Sequence, residues 1–500
     1  MWLAAFTVLA LLSRHSLGKN TYREEGHYEA RQLSNPTCRE ISDTISSSSA
    51  VYYPVLNPQK YTKGISHWAR SSTQRAACVV EPGTAADVAK ILQTLGSRRT
   101  PFAVKGGGHA SNPEFSSTTG VQIAMYRFSD VVYNSTDQTV TVGSGLIWDD
   151  VYAALAPHGV NVVGGRVTGV GVAGFTLGGG YSYLTNQYGL TIDTVVAFEL
   201  VKPDGTILWV TKDTQPDLFF GLKGGFNNFG IVTRFTLKTF PQTQVWGGLI
   251  TVTAPFIDQI SAATADFSAN VKDPKASILT TYNFLLGQPG VSQILFYDAP
   301  QPPPGVFDKF MNIPSFTKDV GTRDFLSLVK ASPANVTAGT RAIFNTVSVL
   351  DYTPGLLKAV QNESIFWGSR LSNLLEGNTG VFISYDVEPF LPDFLSHADS
   401  PSAYPPTRNK SYSPFNLYYA WLSKADDDDF HSAARQSASR LHDVAIAEGQ
   451  VLDNASVYPN YAIFDTPLSE LYGDNLPILQ ALKKVHDPNN VMGLAGGWKF

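Results

Sequence analysis

The sequence has few cysteines, no excess of positive charge and no apolar run long enough to cross a membrane. Its 37 basic and 42 acidic residues give a net charge of -5, which provides no polycationic surface for nucleic acid or anionic membranes. The apolar run at residues 2–12 is too short to span a bilayer. We therefore expect small molecules as partners, and neither nucleic acid nor a membrane.

Several catalytic signatures are also missing. No G-x-S-x-G nucleophile elbow is present, which disfavours a serine hydrolase, and no G-x-x-x-x-G-K-[ST] loop is present, which disfavours phosphoryl transfer. No other histidine pairs with His109 at the spacing of metal ligands. We therefore expect no metal in the site.

The N-terminus resembles a secretory signal peptide over residues 1–18, although a buried N-terminal strand is an alternative. Cys38 and Cys78 suit an oxidising compartment, where they would form a disulfide; two unpaired buried thiols are the alternative. Glycosylation sequons agree with secretion and begin at Asn134, Asn335, Asn362, Asn409 and Asn454. The sequence thus predicts an extracellular glycoprotein.

A chain of 500 residues exceeds one ordinary core, so we expect two or three folding units. Glycine clusters dominate up to about residue 241, longer amphipathic helices and strands follow, and the last fifty residues are again rich in glycine and aromatic residues. Residues 426–429 are four aspartates before a helix predicted over 430–448. They suit the helix dipole, and a calcium site is the alternative, although the 12-residue calcium-loop spacing is absent.

The stretch P-F-A-V-K-G-G-G-H-A at residues 101–110 organises the N-terminal half. It follows a helix that Thr84 would cap and Gly96 would end, so the glycines lie at the exit of a predicted β-α-β unit. Three consecutive residues without a Cβ let backbone amides approach a ligand closely, as in phosphate-binding turns. His109 would then lie beside that ligand; a hydrogen-bonded core histidine and a general base are the alternatives.

A second glycine-rich strip reads G-V-G-V-A-G at residues 169–174, with Asp193 about twenty residues later. This pattern matches the fingerprint of a nicotinamide dinucleotide site. The strip continues, however, into G-G-G-Y at residues 178–181, which disfavours the helix that such a site requires. We expect irregular backbone lying along a long ligand, followed by a hairpin of strands 195–201 and 206–210 around Pro203-Asp204-Gly205.

Four motifs, in order, resemble a known family. K-G-G-G-H-A at 105–110 resembles the R-G-G-G-H-S flavin-attachment motif of the berberine-bridge-enzyme-like FAD-linked oxidases, which have the vanillyl-alcohol-oxidase fold. Residues 164–181 resemble the family's second FAD strip, and residues 217–233 resemble its D-L-F-W…F-G-I-V-T block. Y-P-N-Y at 458–461 and D-P-N-N-V at 487–491 resemble its C-terminal motifs.

The resemblance implies an α+β protein with a two-domain PCMH-type FAD-binding fold. After the signal at 1–18, the FAD-binding domain would occupy 19–245, with its core at about 70–242. A substrate domain, an antiparallel sheet covered by helices, would occupy 246–450. Residues 451–500 would complete the FAD-binding domain.

The resemblance also implies that His109 is bonded to the 8α carbon of FAD. Relatives with a second, cysteinyl bond place that cysteine at Val167, so attachment here would be through His109 only. Lys105 would keep the charge of the motif's arginine, and Val170 falls at the position associated with oxygen access. The residues expected to bind FAD are Gly106, Gly107, Gly108, His109, Ala110, Val167, Thr168, Gly169, Gly171, Val172, Gly174, Gly179, Gly230, Val232, Asn460 and Tyr461.

By the same resemblance, Tyr461 would be the catalytic base, or would alternatively pack on the isoalloxazine without a proton role, and Asn460 would orient flavin or substrate. The implied function is that of a secreted oxidase that takes a hydride from an alcohol, a sugar hydroxyl or a secondary metabolite and reduces O2 to H2O2. The alternatives are a dehydrogenase with another acceptor and a flavin-retaining binding protein.

Overall fold

A computed structural model describes residues 35–500 of the protein, except residues 286 and 333. The signal predicted at 1–18 lies outside the described residues. None of the helices in the described part has the length and apolar character needed to cross a membrane. Helices and four β-sheets alternate along this part, which confirms the predicted α+β class.

The first sheet holds the triple-glycine turn at one end. Its strands are β1 (Ala50–Tyr52), β2 (Cys78–Glu81), β3 (Phe102–Lys105) and β4 (Val121–Ala124), in the order β1-β2-β4-β3. Strands β2, β3 and β4 are parallel, and helices α1 (Pro36–Thr44), α2 (Pro58–Ile65) and α3 (Ala85–Arg98) accompany them. Cys38 and Cys78 form a disulfide that joins α1 to β2, as predicted.

Helix α3 begins as the sequence predicts, because the Thr84 hydroxyl accepts a hydrogen bond from the Asp87 amide. The predicted end is wrong, since the helix passes Gly96 and stops at Arg99, which has a left-handed backbone conformation. A Cβ at Gly96 would lie 3.0 Å from the Val491 side chain. Gly96 therefore serves the close approach of the C-terminal segment rather than the end of the helix.

The second sheet is antiparallel in the order β5-β6-β10-β8-β9. Its strands are β5 (Val131–Asn134), β6 (Thr139–Gly143), β8 (Val195–Val201), β9 (Ile207–Val210) and β10 (Ile231–Lys238), while β7 (Val160–Asn161) pairs with β11 (Phe240–Pro241). The helices here are α4 (Trp148–Leu155), α5 (Val172–Leu177), α6 (Thr185–Tyr188) and α7 (Pro216–Leu222). The hairpin of β8 and β9 is as predicted.

The third sheet has seven antiparallel strands in the order β15-β12-β14-β13-β17-β18-β16. They are β12 (Val245–Thr253), β13 (Ala276–Leu285), β14 (Gln288–Tyr297), β15 (Thr317–Arg323), β16 (Arg341–Val349), β17 (Gly380–Val387) and β18 (Ser413–Trp421). The accompanying helices are α8 (Ile257–Asn270), α9 (Asp308–Met311), α10 (Phe325–Val329), α11 (Pro354–Leu371) and α12 (Asp427–Ala447).

Side chains of the third sheet alternate between two environments, as strand geometry requires. On β13, Tyr282 and Phe284 are buried in a core shared with α11 and α12. Thr281, Asn283 and Leu285 point the other way, towards the cavity described below. The sheet thus has one face under helices and one face over the N-terminal half.

The acidic run at residues 426–429 lies at the start of α12, and its first two aspartates have structural contacts. Asp427 pairs with Arg341 and also accepts a hydrogen bond from Trp421 Nε1 at 2.9 Å. Asp426 accepts from the Thr379 amide at 3.1 Å. These contacts let the helix begin at Asp427, before the predicted residue 430.

The C-terminal segment returns to the N-terminal half. It contains α13 (Leu468–Tyr472) and α14 (Leu476–His486), after which Val491 and Met492 enter the core of the first sheet. Asp487 fixes this return by accepting hydrogen bonds from both of those amides at 2.8 Å. The domain limits given above remain a prediction.

Candidate active site

The two glycine-rich strips lie back to back. A Cβ on Gly107 would lie 2.5 Å from the Gly171 Cα, so neither position has room for a side chain. Gly108 has a φ of +75°, which favours glycine, and the chain turns there into His109. At Gly174 a Cβ would meet nothing within 4 Å. Together the strips form the floor of a cavity of about 410 Å³.

The second strip departs from its expected irregular backbone. Gly171 is the N-cap of the short helix α5, which ends at Gly178. The glycine pattern therefore does open a helix, of six residues. This is possible because Gly169 and Gly171 lie before the helix and the glycines from Gly178 onwards end it. Asp193, the apparent ribose ligand of the nicotinamide pattern, is buried and paired with Arg408 at 2.8 Å.

Lys105 fixes the position of the triple-glycine turn at residues 106–108. Its buried Nζ donates to the carbonyl of Lys63 at 2.9 Å and to the Tyr126 hydroxyl at 2.6 Å. Burial lowers the pKa of Lys105 to about 7; Lys63 lowers it further and Glu81 opposes the shift. The lysine is thus a structural tie between β3 and the end of α2.

His109 lies in an aromatic pocket. Its ring stacks on Trp68 at 4.5 Å between centroids and 13° between planes, and it also lies parallel to Phe344 at 6.4 Å. Its Nε2 atom is buried and has no hydrogen-bond partner among the described residues. Burial lowers the pKa of His109 to about 4, so the imidazole is neutral at physiological pH.

The C-terminal motif closes the cavity beside the second strip. The Asn460 amide donates to the Phe175 carbonyl at 3.2 Å and to the Tyr458 hydroxyl at 2.8 Å. That hydroxyl in turn accepts from the Gly180 amide at 3.1 Å. Asn460 therefore holds the strip in place as well as lining the cavity.

Tyr461 belongs to a buried polar cluster with Glu388 and Arg166. Its hydroxyl donates to Glu388 Oε1 at 3.1 Å and accepts from the Arg166 guanidinium at 3.3 Å. Arg166 Nη2 also contacts Glu388 Oε2 at 2.5 Å, and both side chains are almost fully buried. The Tyr461 hydroxyl can pass a proton from the cavity to the Glu388 carboxylate, while Arg166 holds that carboxylate in place.

The protonation states in this cluster have clear causes. Burial raises the pKa of Tyr461 well above its usual value, and the negative charge of Glu388 adds to the effect. Burial also raises the pKa of Glu388, and Arg166 opposes that rise. The phenol is thus a proton donor at rest, and the carboxylate is the acceptor within its reach.

The cavity brings together most of the predicted site residues. Its lining includes Gly106, Gly107, Gly108, His109, Ala110, Val167, Gly171, Gly174, Val232, Asn460 and Tyr461. Outside the lining lie Thr168, Gly169, Val172, Gly179 and Gly230.

The residues outside the lining have structural contacts. The Thr168 hydroxyl and the Gly169 amide both donate to the Asp149 carboxylate, at 2.5 and 2.9 Å. A Cβ at Gly230 would lie 2.3 Å from the Val201 carbonyl oxygen. These three positions match the family's motifs, but they support the cavity floor from the side that faces away from the cavity.

Trp68, Arg166, Phe344, Asp386 and Glu388 also line the cavity, and sequence reasoning missed them. A signal in the sequence could have found Asp386 and Glu388. They are two acids at alternate positions in Y-D-V-E, at the end of a mostly apolar strand, and alternate positions of a strand point to the same face. The other three come from three separate segments and had no local signal.

Comparison with known proteins identifies the family. Residues 76–211 match the family described as FAD binding domain. The FAD-dependent monooxygenase drtC of Aspergillus calidoustus is 30% identical over 446 residues, which cover 87% of this chain and 85% of the relative. The chain belongs to the FAD-linked oxidoreductases.

Solved structures show the same fold. The wild-type BBE-like 1 protein of Physcomitrella patens superposes with a TM-score of 0.71 at 18% identity, covering 91% of this oxidoreductase and 97% of that chain. The glucooligosaccharide oxidase of Acremonium strictum has a TM-score of 0.72 at 17% identity, covering 91% and 97%. The predicted berberine-bridge-enzyme-like fold is thereby confirmed.

The cavity of this oxidoreductase fits FAD. Its floor is backbone from the two glycine strips, which can approach a dinucleotide closely. The open space at Gly174 leaves room along that floor. His109, whose buried Nε2 has no hydrogen-bond partner among the described residues, stacks on Trp68 beside the floor. Residues from the first strip, the second strip and the C-terminal motif would therefore hold the cofactor.

Proposed function

We propose that this oxidoreductase is a secreted oxidase that removes a hydride from a C–H bond bearing a hydroxyl group, with FAD bonded to the protein through His109 only. The neutral imidazole beside the glycine floor, whose Nε2 has no hydrogen-bond partner among the described residues, supports this attachment. The cysteine position of doubly linked relatives is Val167, and Cys38 and Cys78 are joined to each other.

When bound, FAD would accept the hydride and deliver two electrons to O2, giving H2O2. The protein's own part is to bind the substrate and remove the hydroxyl proton. In our proposal the substrate hydroxyl gives its proton to Tyr461 Oη while the phenol proton passes to Glu388 Oε1. This route agrees with the raised pKa of Tyr461, because the tyrosine never has to exist as a free phenolate.

Arg166 would keep Glu388 ready to accept that proton. Burial alone would lower the pKa of the guanidinium, but Glu388 and Tyr461 raise it above its ordinary value, so Arg166 stays charged. Its contact with Glu388 favours the ionised carboxylate. The Tyr461–Glu388 hydrogen bond is the single observation on which this function rests.

Secretion has independent support. The disulfide suits an oxidising compartment. The sequon asparagines Asn134, Asn362, Asn409 and Asn454 are exposed and accessible to glycosylation, while the Asn335 side chain lies outside the described residues. We propose an extracellular location for the oxidase on these grounds.

Two measurements test the proposal. The purified holoprotein should consume O2 and form H2O2 with an alcohol or sugar as substrate; dye reduction without peroxide would make it a dehydrogenase and overturn the oxidase. After acid precipitation, flavin should stay with the polypeptide in the parent and be released from His109→Ala. His431→Ala is the matched control, since His431 also has a buried Nε2 that finds no hydrogen-bond partner in the described part of the chain, but it lies outside the cavity lining. Flavin still bonded in His109→Ala would refute the attachment.

A further inference from the structure

A row of polar side chains crosses the third sheet at one register. Ser292 is opposite Thr281, and Thr281 is opposite Asp386. Asp386 is opposite Asn416, which is opposite Thr346. We call these five residues the polar row; Ser292, Thr281, Asp386 and Asn416 line the cavity. Five adjacent strands therefore each place a polar group at the same level.

Apolar side chains flank the polar row on both sides. Towards one end of the strands, Leu279 is opposite Ile294, which is opposite Leu249. Towards the other end, Phe344 is opposite Tyr418. All five line the cavity. Ser384 and Asn283 continue the level of Tyr418 on the neighbouring strands and also line the cavity. A ligand on this face would thus meet the polar row with an apolar surface on one side and a mixed apolar and polar surface on the other.

The polar row has unused hydrogen-bonding capacity. The Asn416 amide donates to Asp386 Oδ2 at 3.0 Å, which leaves its Oδ1 atom buried without a partner among the described residues. Asn416 is only 5% exposed. The Thr346 hydroxyl, also buried, lacks a partner in the same part of the chain. Leaving a buried acceptor unpaired is unfavourable, so a donor from a ligand is expected at Asn416.

The polar row and the reacting end of the cavity are close to each other along the backbone of β17. Asp386 and Glu388 are two positions apart along the chain, where β17 ends, and both line the cavity. Two residues of extended chain span about 7 Å. A molecule whose hydroxyl lies at Tyr461 and Glu388 would therefore reach the polar row with a second group about that far away.

We propose that the polar row is a second recognition site for the substrate, and that the substrate carries a second hydroxyl, about 7 Å from the one that is oxidised, on an apolar skeleton. The inference rests on the proposed oxidase function. Four of the five groups are neutral, and three of these are hydroxyls that both donate and accept, which matches a hydroxyl better than an ammonium ion. The second hydroxyl would donate to Asn416 Oδ1 and accept from the row's hydroxyls.

The charge at Asp386 agrees with a neutral partner. Burial raises its pKa to about 7, and the carboxylate of Glu388 raises it further, while hydrogen bonds from Thr281 and Asn416 and the charge of Arg166 oppose the shift. The phenols of Tyr461 and Tyr418 are the other titratable groups near it. Asp386 is thus partly protonated near neutral pH and is a weak counter-ion for an ammonium group.

Three probes with one skeleton test the proposal on the holoenzyme: 1,4-benzenedimethanol, 4-methylbenzyl alcohol, which lacks the second hydroxyl, and 4-(aminomethyl)benzyl alcohol. We expect kcat/KM for the diol to exceed that for the mono-alcohol by about tenfold, the effect of one well-made hydrogen bond. In Asn416→Leu this ratio should fall to about two, the statistical factor that the two equivalent hydroxyls of the diol leave when the second site is lost. Asn270→Leu, an exposed asparagine outside the cavity lining, should keep the parent ratio.

Other outcomes contradict the proposal in distinguishable ways. A parent kcat/KM ratio of diol to mono-alcohol of about two or less, which the two equivalent hydroxyls of the diol alone would give, would refute the second site while leaving the oxidase intact. A kcat/KM for the amino alcohol that exceeds that for the diol, increasingly so above pH 7, and that loses this advantage in Asp386→Asn would show that the polar row recognises a cation and not a hydroxyl. Failure of every alcohol to reduce the flavin would overturn the proposed function and this inference with it. Flavin content and melting temperature of Asn416→Leu show that the variant is folded.

Discussion

Replacing Glu388 with glutamine tests the proton path with little change of shape. The amide oxygen can still accept the hydrogen bond that Tyr461 makes at 3.1 Å, but it cannot take up the proton. A positioned general base contributes about 10²–10⁴-fold to a rate, or about 3–5 kcal/mol of barrier. We therefore expect Glu388→Gln to slow flavin reduction by at least about 100-fold.

The substitution also leaves Arg166 without its counter-charge. Both side chains are buried, at 6% and 2% exposure, and removal of one partner from a buried pair costs about 3–5 kcal/mol. Some loss of melting temperature is thus expected, and the rate must be measured where the variant is fully folded. Glu363→Gln is the matched control, because this glutamate bonds Trp367 and Ser437 away from the cavity lining.

The assay is anaerobic reduction of the flavin, followed by its absorbance after rapid mixing with substrate at a series of pH values. Because Glu388 must be ionised to accept a proton, and its pKa is raised, the parent rate should rise with pH to a plateau. Glu388→Gln should lose that dependence. A variant that is reduced within about threefold of the parent rate, with the same pH profile, would refute the role of Glu388 as acceptor.

Two further predictions concern other parts of the molecule. Trp68 keeps water from the His109 imidazole, so Trp68→Ala should let the pKa of His109 rise from about 4 towards its ordinary value, while Trp68→Phe should preserve it. In Trp68→Ala, covalent flavin should then form about fourfold more slowly than in the parent at pH 6, whereas the rate at pH 8 should change little. Equal rates of covalent flavin formation at pH 6 in the alanine and phenylalanine variants would contradict this. Removing the Cys38–Cys78 disulfide by a double alanine substitution should lower the free energy of unfolding by about 4 kcal/mol, from the 40-residue separation that the bond closes. Urea unfolding measures this value, and an unchanged midpoint would argue against it.

Local signals in the sequence were reliable where neighbouring residues alone determine the structure. Thr84 caps α3, and the turn at Pro203-Asp204-Gly205 joins β8 to β9. Gly96 was misread because its role depends on Val491, which is far away in the chain. Glycine is used for turns and for close packing alike, and only the tertiary structure distinguishes them.

The same limit applies to the candidate site. The resemblance to a family located His109 and Tyr461, because their motifs are contiguous. Glu388 and Arg166 come from a strand end and a loop whose meeting is set by the packing of the third sheet on the glycine strips. Thr168 and Gly169 match a motif yet bind Asp149, so a motif match alone did not separate lining residues from supporting ones.

The cavity has consequences for when the enzyme matures. Its walls include Trp68 near one end of the described chain and Trp498 near the other, with Tyr461 between the sheet and the glycine floor. A nascent chain lacks part of these walls until residue 498 has been synthesised. We therefore expect the cavity to take up a cofactor only after segments more than 400 residues apart have folded against each other.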